Sequence, residues 1–452
     1  MTLATPALIL AIAACVAFPL RKRVAAVAAL SVAAIAVAFA LVAVTPVDTT
    51  GVVLDVVLRL SPLARLGGLV LLATLLLLVV DVWIAEPAYN FFPTALFVGA
   101  VGLAVLMSSM PLATFAPLVF GLLVPVGSFT FQVRRNRSVE AALRHFAFVV
   151  LGGCLGLGAL GIAAGLPKDQ PATTLVLLVV LLFVAFALLL AAIPFHTHAA
   201  LLAGEAPAAA LALYFGVLVP LTFIAFAQIL EASGLLPAIV QLTKVQDLLL
   251  AIGLTSAVGG ALLATGAADL RRLVVYAVIS NLGASLVGIA TLSGPGIIGG
   301  VAIALVTGAA ATQQLLAAGA LERRAGPDRP AVAHAPLAAA AFIAGGFAMI
   351  GVPPLVSFPG HFFVALIAYA LSGLAGSCLV LASLLLLVAQ LRAGIGLFRG
   401  SGEGWRIEPR PVAGIVGLAI FAVLAIGGIA PDVFLAPIAA FADEFLKALR
   451  PL

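Results

Sequence analysis

The sequence predicts an all-α polytopic membrane protein of about fourteen transmembrane helices. Three observations predict it: the composition, the length of the apolar runs, and the confinement of charge to short clusters between them. Of 452 residues, 64% are hydrophobic, with only 22 basic and 17 acidic side chains. The mean hydropathy is +1.31. A bilayer core about 30 Å thick asks about 20 apolar residues of a helix. Such runs cover 2–20, 24–45, 66–84, 93–112, 113–132, 145–166, 172–193, 208–230, 246–267, 273–292, 297–319, 332–352, 357–373, 374–397 and 411–430. The run 357–373 is short and follows Pro353, Pro354 and Pro359, so it is discounted as an independent span. The tail 431–452 carries Asp443, Glu444, Lys447 and Arg450 beside Phe441, Phe445 and Leu446, the pattern of an amphipathic helix lying at an interface.

Basic clusters between apolar runs mark cytoplasmic loops. Arg21, Lys22 and Arg23 follow the first run, which predicts an uncleaved first helix with its N-terminus outside. Arg134, Arg135, Arg137 and Arg144 follow the fifth, Arg271 and Arg272 the ninth, and Arg323, Arg324 and Arg329 the eleventh. All fit one side. Arg392, Arg399, Arg406 and Arg410 break the alternation, so a late segment either fails to span or is interrupted. The polar loops 133–144, 322–331 and 399–410 are too small to fold alone. The net charge of +5, spread over these loops, does not suggest a nucleic-acid partner. Cys15, Cys154 and Cys378 lie in apolar runs without paired spacing, so neither disulfide nor metal is expected, and all three read as small buried side chains.

The polar residues worth weighing sit at two proline-marked interruptions. Between Pro194 and Pro207 lie His196, His198 and Glu205. Ionisable groups inside a membrane are expensive and mark pathways by default. Two residues apart on a helix, His196 and His198 point about 200° from one another and cannot chelate one metal from one face. They read either as proton carriers, given the pKa of imidazole, or as interfacial side chains bonded to loop carbonyls. Glu205 reads either as a cap for the helix that Pro207 opens or as a point of proton entry. His361 follows Pro353-Pro354-Leu-Val-Ser-Phe-Pro359-Gly360, where an apolar segment restarts. Ionisable groups at discontinuous helices recur in transport sites; the alternative reading of His361 is a buried histidine with a backbone partner. Gln313 and Gln314 fall inside 297–319 and serve either as helix glue or as holders of water. His334 is expected at an interface, and Tyr276, Ser280, Asn281 and Ser285 form a stripe read mainly as packing. The four lysines, at 22, 168, 244 and 447, all lie outside the apolar runs. An echo between Phe120-Gly-Leu-Leu-Val-Pro125 and Phe215-Gly-Val-Leu-Val-Pro220 hints at two similar kinked helices, by repeat or by chance.

Four stretches in order resemble the antiporter-like membrane subunits of NADH–quinone oxidoreductase (the subunit L, M and N group). That family has relatives in multisubunit sodium/proton antiporters, membrane-bound hydrogenases and inorganic-carbon uptake systems. Glu140-Ala-Ala-Leu-Arg144-His145-Phe146 resembles the family's Glu-Ala-x-Leu-Lys-Tyr-Phe. Pro194-Phe-His196 with Glu205-Ala-Pro207 resembles its Pro-Phe-His-x-Trp-Leu-Pro…Ala-Pro. Asp269-Leu-Arg271-Arg272-Leu-Val-Val-Tyr276-Ala with Asn281-Leu-Gly283 resembles its Lys-Arg-Leu-Leu-Ala-Tyr-Ser…Gly. Gly351-Val-Pro353-Pro354-Leu-Val-Ser-Phe358-Pro-Gly360-His361-Phe362 resembles its Gly-x-Pro-Pro-x-x-Gly-Phe-x-Gly-Lys-Phe. The order holds from about 140 to 365. The departures concern charge. Lysine positions of the family fall on Leu189, near Val219 and on His361, and a glutamate position near Phe120 or Gly121. The tryptophan after Pro-Phe-His is His198. A polar helix of the family maps onto 297–319, where Thr307, Thr312, Gln313 and Gln314 remain.

The resemblance implies the antiporter-like fold, with inverted five-helix repeats and broken helices near 194–207 and 353–360. It divides the chain into N-terminal helices (1–112), a first repeat (113–230), a second repeat (246–397), and a last helix with an amphipathic tail (411–452). It implies one subunit of a larger assembly in the inner (cytoplasmic) membrane, with other membrane subunits as partners. That assembly would move protons or cations in step with a partner reaction. The expected pathway residues are His196, His198, Glu205, His361, Gln313, Gln314, Arg144 and Arg272. The alternatives are a structural, non-conducting subunit that anchors partners and a stand-alone transporter of a small solute. No catalytic residue, cofactor or metal ligand is expected, because nothing resembles a nucleotide, flavin, haem or iron–sulfur motif. The chain would belong to a proton-translocating oxidoreductase only as a non-catalytic subunit.

Overall fold

The computed structural model describes residues 2–85, 90–130, 137–166, 172–237, 243–325, 335–398 and 411–449. Arg134, Arg135, Lys168, Arg329, His334, Arg399, Arg406, Arg410 and Arg450, named above, lie outside the described residues, as does the side chain of Arg324. The helices in chain order begin with α1 (Thr5–Leu20), α2 (Val24–Val44), α3 (Pro62–Ala85), α4 (Phe91–Met107), α5 (Pro111–Leu123), α6 (Val126–Thr130) and α7 (Ser138–Gly165). They continue with α8 (Ala172–Leu189), α9 (Thr197–Glu205), α10 (Ala208–Leu211), a π-helical stretch (Ala212–Leu218) and α11 (Val219–Ala232). Then come α12 (Thr243–Gly266), α13 (Leu270–Ala290), α14 (Gly294–Ala325), α15 (Pro336–Ile350), α16 (Ser357–Leu371), α17 (Gly373–Phe398), α18 (Val412–Ile429) and α19 (Pro431–Ala448). Among the described residues, ten helices are long and apolar enough to cross a membrane, and five more are apolar but shorter. Together they coincide with the fifteen apolar runs of the sequence. The discounted run is a real helix, α16, of 15 residues.

With no water in the hydrocarbon layer, backbone groups must be satisfied within helices, and an apolar run there folds as one helix. Local chemistry sets the ends. Proline opens α5, α15 and α19 at the first turn, where its missing N–H costs nothing. The Asp269 carboxylate accepts from the Arg272 backbone N–H at 2.8 Å and starts α13. Gly351, at φ +79°, closes α15 in the left-handed region.

The bundle has a buried centre and a lipid-facing ring. Residues 208–232 are 94% buried and α13 is 89% buried, whereas α7 and α18 are each 33% buried. Close approach needs small residues. A Cβ added at Gly260 of α12 would lie 2.7 Å from the Ser280 backbone nitrogen of α13. Cys15 and Cys154 are exposed on the outer ring and Cys378 is half-buried, contrary to the expectation of three buried thiols. Apolar surroundings here mean lipid as readily as protein core, so hydropathy could not tell the two apart.

Two departures from a plain helix bundle follow from local sequence. Strands β1 (Thr50–Val53) and β2 (Val56–Arg59) form an antiparallel hairpin with Val53 paired to Val56. Leu54 and Asp55 turn the chain with φ of 50° and 62°. β-branched residues at 52, 53, 56 and 57 favour the pleat. The Ser109 N–H donates to the Val57 carbonyl (3.1 Å), tying the hairpin to the α4–α5 connection. The run 113–132 is interrupted at Pro125, between α5 and α6.

Three contacts fix which ends share a side. Arg271 pairs with Glu322 at 2.9 Å. It also donates to the Ala206 carbonyl at 2.6 Å. Arg392 of α17 donates to the Ala267 carbonyl at 2.5 Å. The end of α14 and the Arg392 end of α17 therefore sit together beside the start of α13. Between them lie α15 and α16, joined through the irregular residues 351–356. Arg392, the described member of the clusters that broke the alternation, thus meets the loop beside Arg271.

The tail forms α19, whose Phe441 and Phe445 are buried against α3 and α14. The Arg59 guanidinium reaches Asp48 (2.7 Å) and Glu444 of α19 (2.7 Å), and Glu444 foremost, then Asp48, raises its pKa above the ordinary value.

Candidate functional site

The first interruption begins where α8 ends at Leu189 and runs through turns to α9. Both interruptions contain a cis proline bond, Ile193–Pro194 and Pro353–Pro354. His196 is the half-exposed residue preceding α9, with its Nδ1 buried and unpartnered. His198, the second residue of α9, is fully buried. The Nδ1 of His198 lies 3.0 Å from the Phe195 carbonyl, and its Nε2 is buried without a partner among the described residues.

Two side chains not singled out from the sequence complete this cluster. His145, on the first turns of α7, is fully buried with Nε2 3.3 Å from the Leu122 carbonyl. Its ring centroid lies 5.5 Å from His198 and 4.6 Å from Tyr214, the latter edge-to-face. Tyr214 comes from the π-helical stretch and is fully buried. Phe129 and Phe148 wall the group, 5.6 Å from His145 and 4.6 Å from His198. His145 opens the run 145–166 and Tyr214 interrupts an otherwise apolar stretch, but only the folding of three distant segments brings them to His198.

Glu205 is the last residue of α9 and forms no cap on α10, where Pro207 is the N-cap. Its Oε2 is buried without a partner among the described residues. The capping alternative is thereby set aside. Arg144 is an exposed partner of Glu140 (2.7 Å), and Arg272 pairs with Asp269 (3.4 Å). Both lie near helix starts. Arg272 does cover the break, since a Cβ on Gly204 would meet its guanidinium at 2.6 Å.

At the second interruption, residues 351–356 are irregular and α16 restarts at Ser357, so His361 already lies inside the helix. Its Nδ1 is 3.0 Å from the Ser357 carbonyl, and Nε2 is buried with no partner among the described residues. The ring packs on Gly351, where a Cβ would lie 2.6 Å from Nδ1. The Val356 N–H donates to the Leu424 carbonyl (3.0 Å), docking the break on α18.

Gln313 and Gln314 stand apart from both breaks. They donate to the Ala341 (2.8 Å) and Phe342 (3.0 Å) carbonyls of α15. Gln314 also exchanges amide bonds with Gln390 of α17, at 3.0 and 3.4 Å. Asn281 of α13 donates to Thr307 (3.1 Å) and the Met349 carbonyl (2.9 Å). Ser280 donates to the Ala257 carbonyl (2.7 Å). These are interhelical bonds, the packing role expected of the α13 stripe. Among the described residues, no group of three or more His, Cys, Asp or Glu side chains could hold a metal.

Comparison with known proteins agrees with this architecture. Residues 146–386 match the family model described as NADH:quinone oxidoreductase/Mrp antiporter, transmembrane. NADH-quinone oxidoreductase subunit 13 of Thermus thermophilus is 29% identical over 216 residues, which is 46% of this chain and 45% of that subunit. The match thus spans under half of the curated relative. A chain of respiratory complex I from Thermus thermophilus superposes over 100% of both chains with a TM-score of 0.84 at 20% identity. A chain of the Mrp complex from Dietzia sp. DQ12-45-1b covers 99% of this chain and 100% of its own, with a TM-score of 0.81 at 18% identity. A chain of the archaeal membrane-bound sulfane sulfur reductase covers 99% of each, with a TM-score of 0.83 at 18% identity. At such identities the superpositions establish the fold. With the family model matching more than half of the chain, this multi-pass membrane protein belongs to the NADH:quinone oxidoreductase/Mrp antiporter transmembrane family.

Proposed function

We propose that the chain is one membrane subunit of a complex I-like, cation-translocating assembly, in contact with other membrane subunits, and that titratable side chains at its two breaks relay protons. One observation carries this reading. His198 and His361 each follow a proline-marked break, each turns one ring nitrogen to a backbone carbonyl, and each keeps the other buried and unpartnered among the described residues. A neutral imidazole held that way offers one lone pair for a proton. His196 and Glu205 flank the first station, with Arg144 and Arg272 at the charged helix starts beside it. The two breaks fall in corresponding places of two inverted repeats, 113–230 and 246–397, behind N-terminal helices 1–112 and before the segment 411–452. With α15 and α16 as one span, the count becomes fourteen. The basic clusters support a cytoplasmic-membrane location with the N-terminus outside.

Replacing His361 with Ala is expected to abolish coupled proton uptake by the reconstituted assembly. Unchanged uptake removes that station. A second reading, a structural and non-conducting subunit, is favoured by Gln314 and Gln390, whose amides bond one another across helices, and by Gln313, whose amide nitrogen donates to the Ala341 carbonyl. Wild-type translocation by an assembly altered at His196, His198, Glu205 and His361 together would establish it.

A further inference from the structure

The first break holds more unsatisfied chemistry than a single titratable histidine requires. A backbone carbonyl only accepts, so the ring nitrogen facing it carries the proton. His145 therefore donates from Nε2 to Leu122, and His198 from Nδ1 to Phe195. That leaves His145 Nδ1 and His198 Nε2 as bare lone pairs. Both atoms and the Tyr214 hydroxyl are buried, and none has a partner among the described residues. All three side chains are 0% exposed. Two acceptors and one hydroxyl proton cannot satisfy one another, and the described residues supply no further donor. Buried polar atoms left over in this way are the usual seats of internal water.

We propose that this triangle of rings binds water, one molecule or a small cluster, donating to His145 Nδ1 and His198 Nε2 and joined by the Tyr214 hydroxyl. The three rings are direct neighbours, with His145 4.6 Å from Tyr214 and 5.5 Å from His198 between centroids. A divalent metal does not suit the site, because two imidazole lone pairs are fewer protein ligands than a metal site uses, and no larger group of His, Cys, Asp or Glu forms among the described residues. The π-helical stretch supplies the third corner, and such irregularities recur where a helix carries function. The site deepens the station proposed at the first break, but hydration is measured separately from proton flux.

The test is solid-state NMR on the full-length protein in lipid bilayers, labelled with ¹⁵N-histidine. Each of the five histidines contributes few signals, and His145→Phe and His198→Phe assign those of interest. The expected result is non-protonated nitrogens of both rings at hydrogen-bonded shifts, receiving magnetisation transferred from water. Tyr214→Phe, a conservative change, should cut that transfer by about half by removing one of the water's anchors. Lone pairs at bare shifts with no transfer from water would overturn the site, as would metal-ligated shifts accompanied by bound metal. A loss of translocation elsewhere, as in His361→Ala, leaves this result untouched. Hydrated rings in a chain without flux would sink the relay while keeping the water.

Discussion

At the scale of single residues, the amides and the imidazoles separate into two roles that looked alike in the sequence. Gln314 spends its amide on Phe342 and Gln390, whereas His198 and His361 each hold a lone pair in reserve. Position in an apolar run identified all of them as costly, but not whether a partner waited across the helix boundary. Gln390 was invisible because its meaning depends on Gln314, 76 residues away. Gln314→Leu should lower the unfolding free energy in bicelles by about 1 kcal/mol, in line with interhelical hydrogen bonds in membranes. Because the bonds act as glue, the same variant should keep proton uptake in the assembled complex. Loss of uptake with unchanged stability would make the glutamines pathway residues after all.

At the scale of elements, prolines announced the two breaks, because a missing N–H and a blocked carbonyl leave a membrane helix few continuations. The π-helical stretch was not announced. Its extra residue per turn belongs to packing, where Gly216 lies against Thr312 and the Gly308 carbonyl of α14. The hairpin was missed for another reason. Its valines are as apolar as any helix face, and only their β-branching and the Leu54–Asp55 turn distinguish them. Helix contacts of glycine are a third element-level feature. Gly260→Val would drive a side chain into the backbone of α13, and the expected outcome is a loss of about 2 kcal/mol or more, in the range of overpacked sites. Unfolding titrations beside Gly260→Ala, which adds less bulk, would measure it. Equal stability of the valine variant and wild type would show that α12 and α13 can move apart freely.

For the whole molecule, the order of spans was legible and the way they close on themselves was not. Most apolar runs gave one helix each, with 113–132 and 208–230 interrupted, yet the sequence could not say that Arg392 returns to the loop beside Arg271, since that contact joins residues 125 positions apart. Nor could it show that the tail packs against protein: Glu444 meets Arg59 of the hairpin, 385 positions away. Arg59→Ala should loosen α19 without unfolding the bundle. Hydrogen exchange in 431–448 is expected to rise by about tenfold for a loss near 1.4 kcal/mol, and to rise in wild type with added salt, which screens exposed pairs. Unaltered exchange would mean that Phe441 and Phe445 hold the tail unaided.

Helix α14 has 32 residues, about 48 Å at 1.5 Å per residue, against an insulating layer of about 30 Å. So long a rod must lean or protrude. Leaning places its two ends at different lateral positions in the membrane plane. Arg271 grips one end through Glu322, and α16, with its break, lies against the other near Gly299. The same helix therefore touches the surroundings of both interruptions, one near each end.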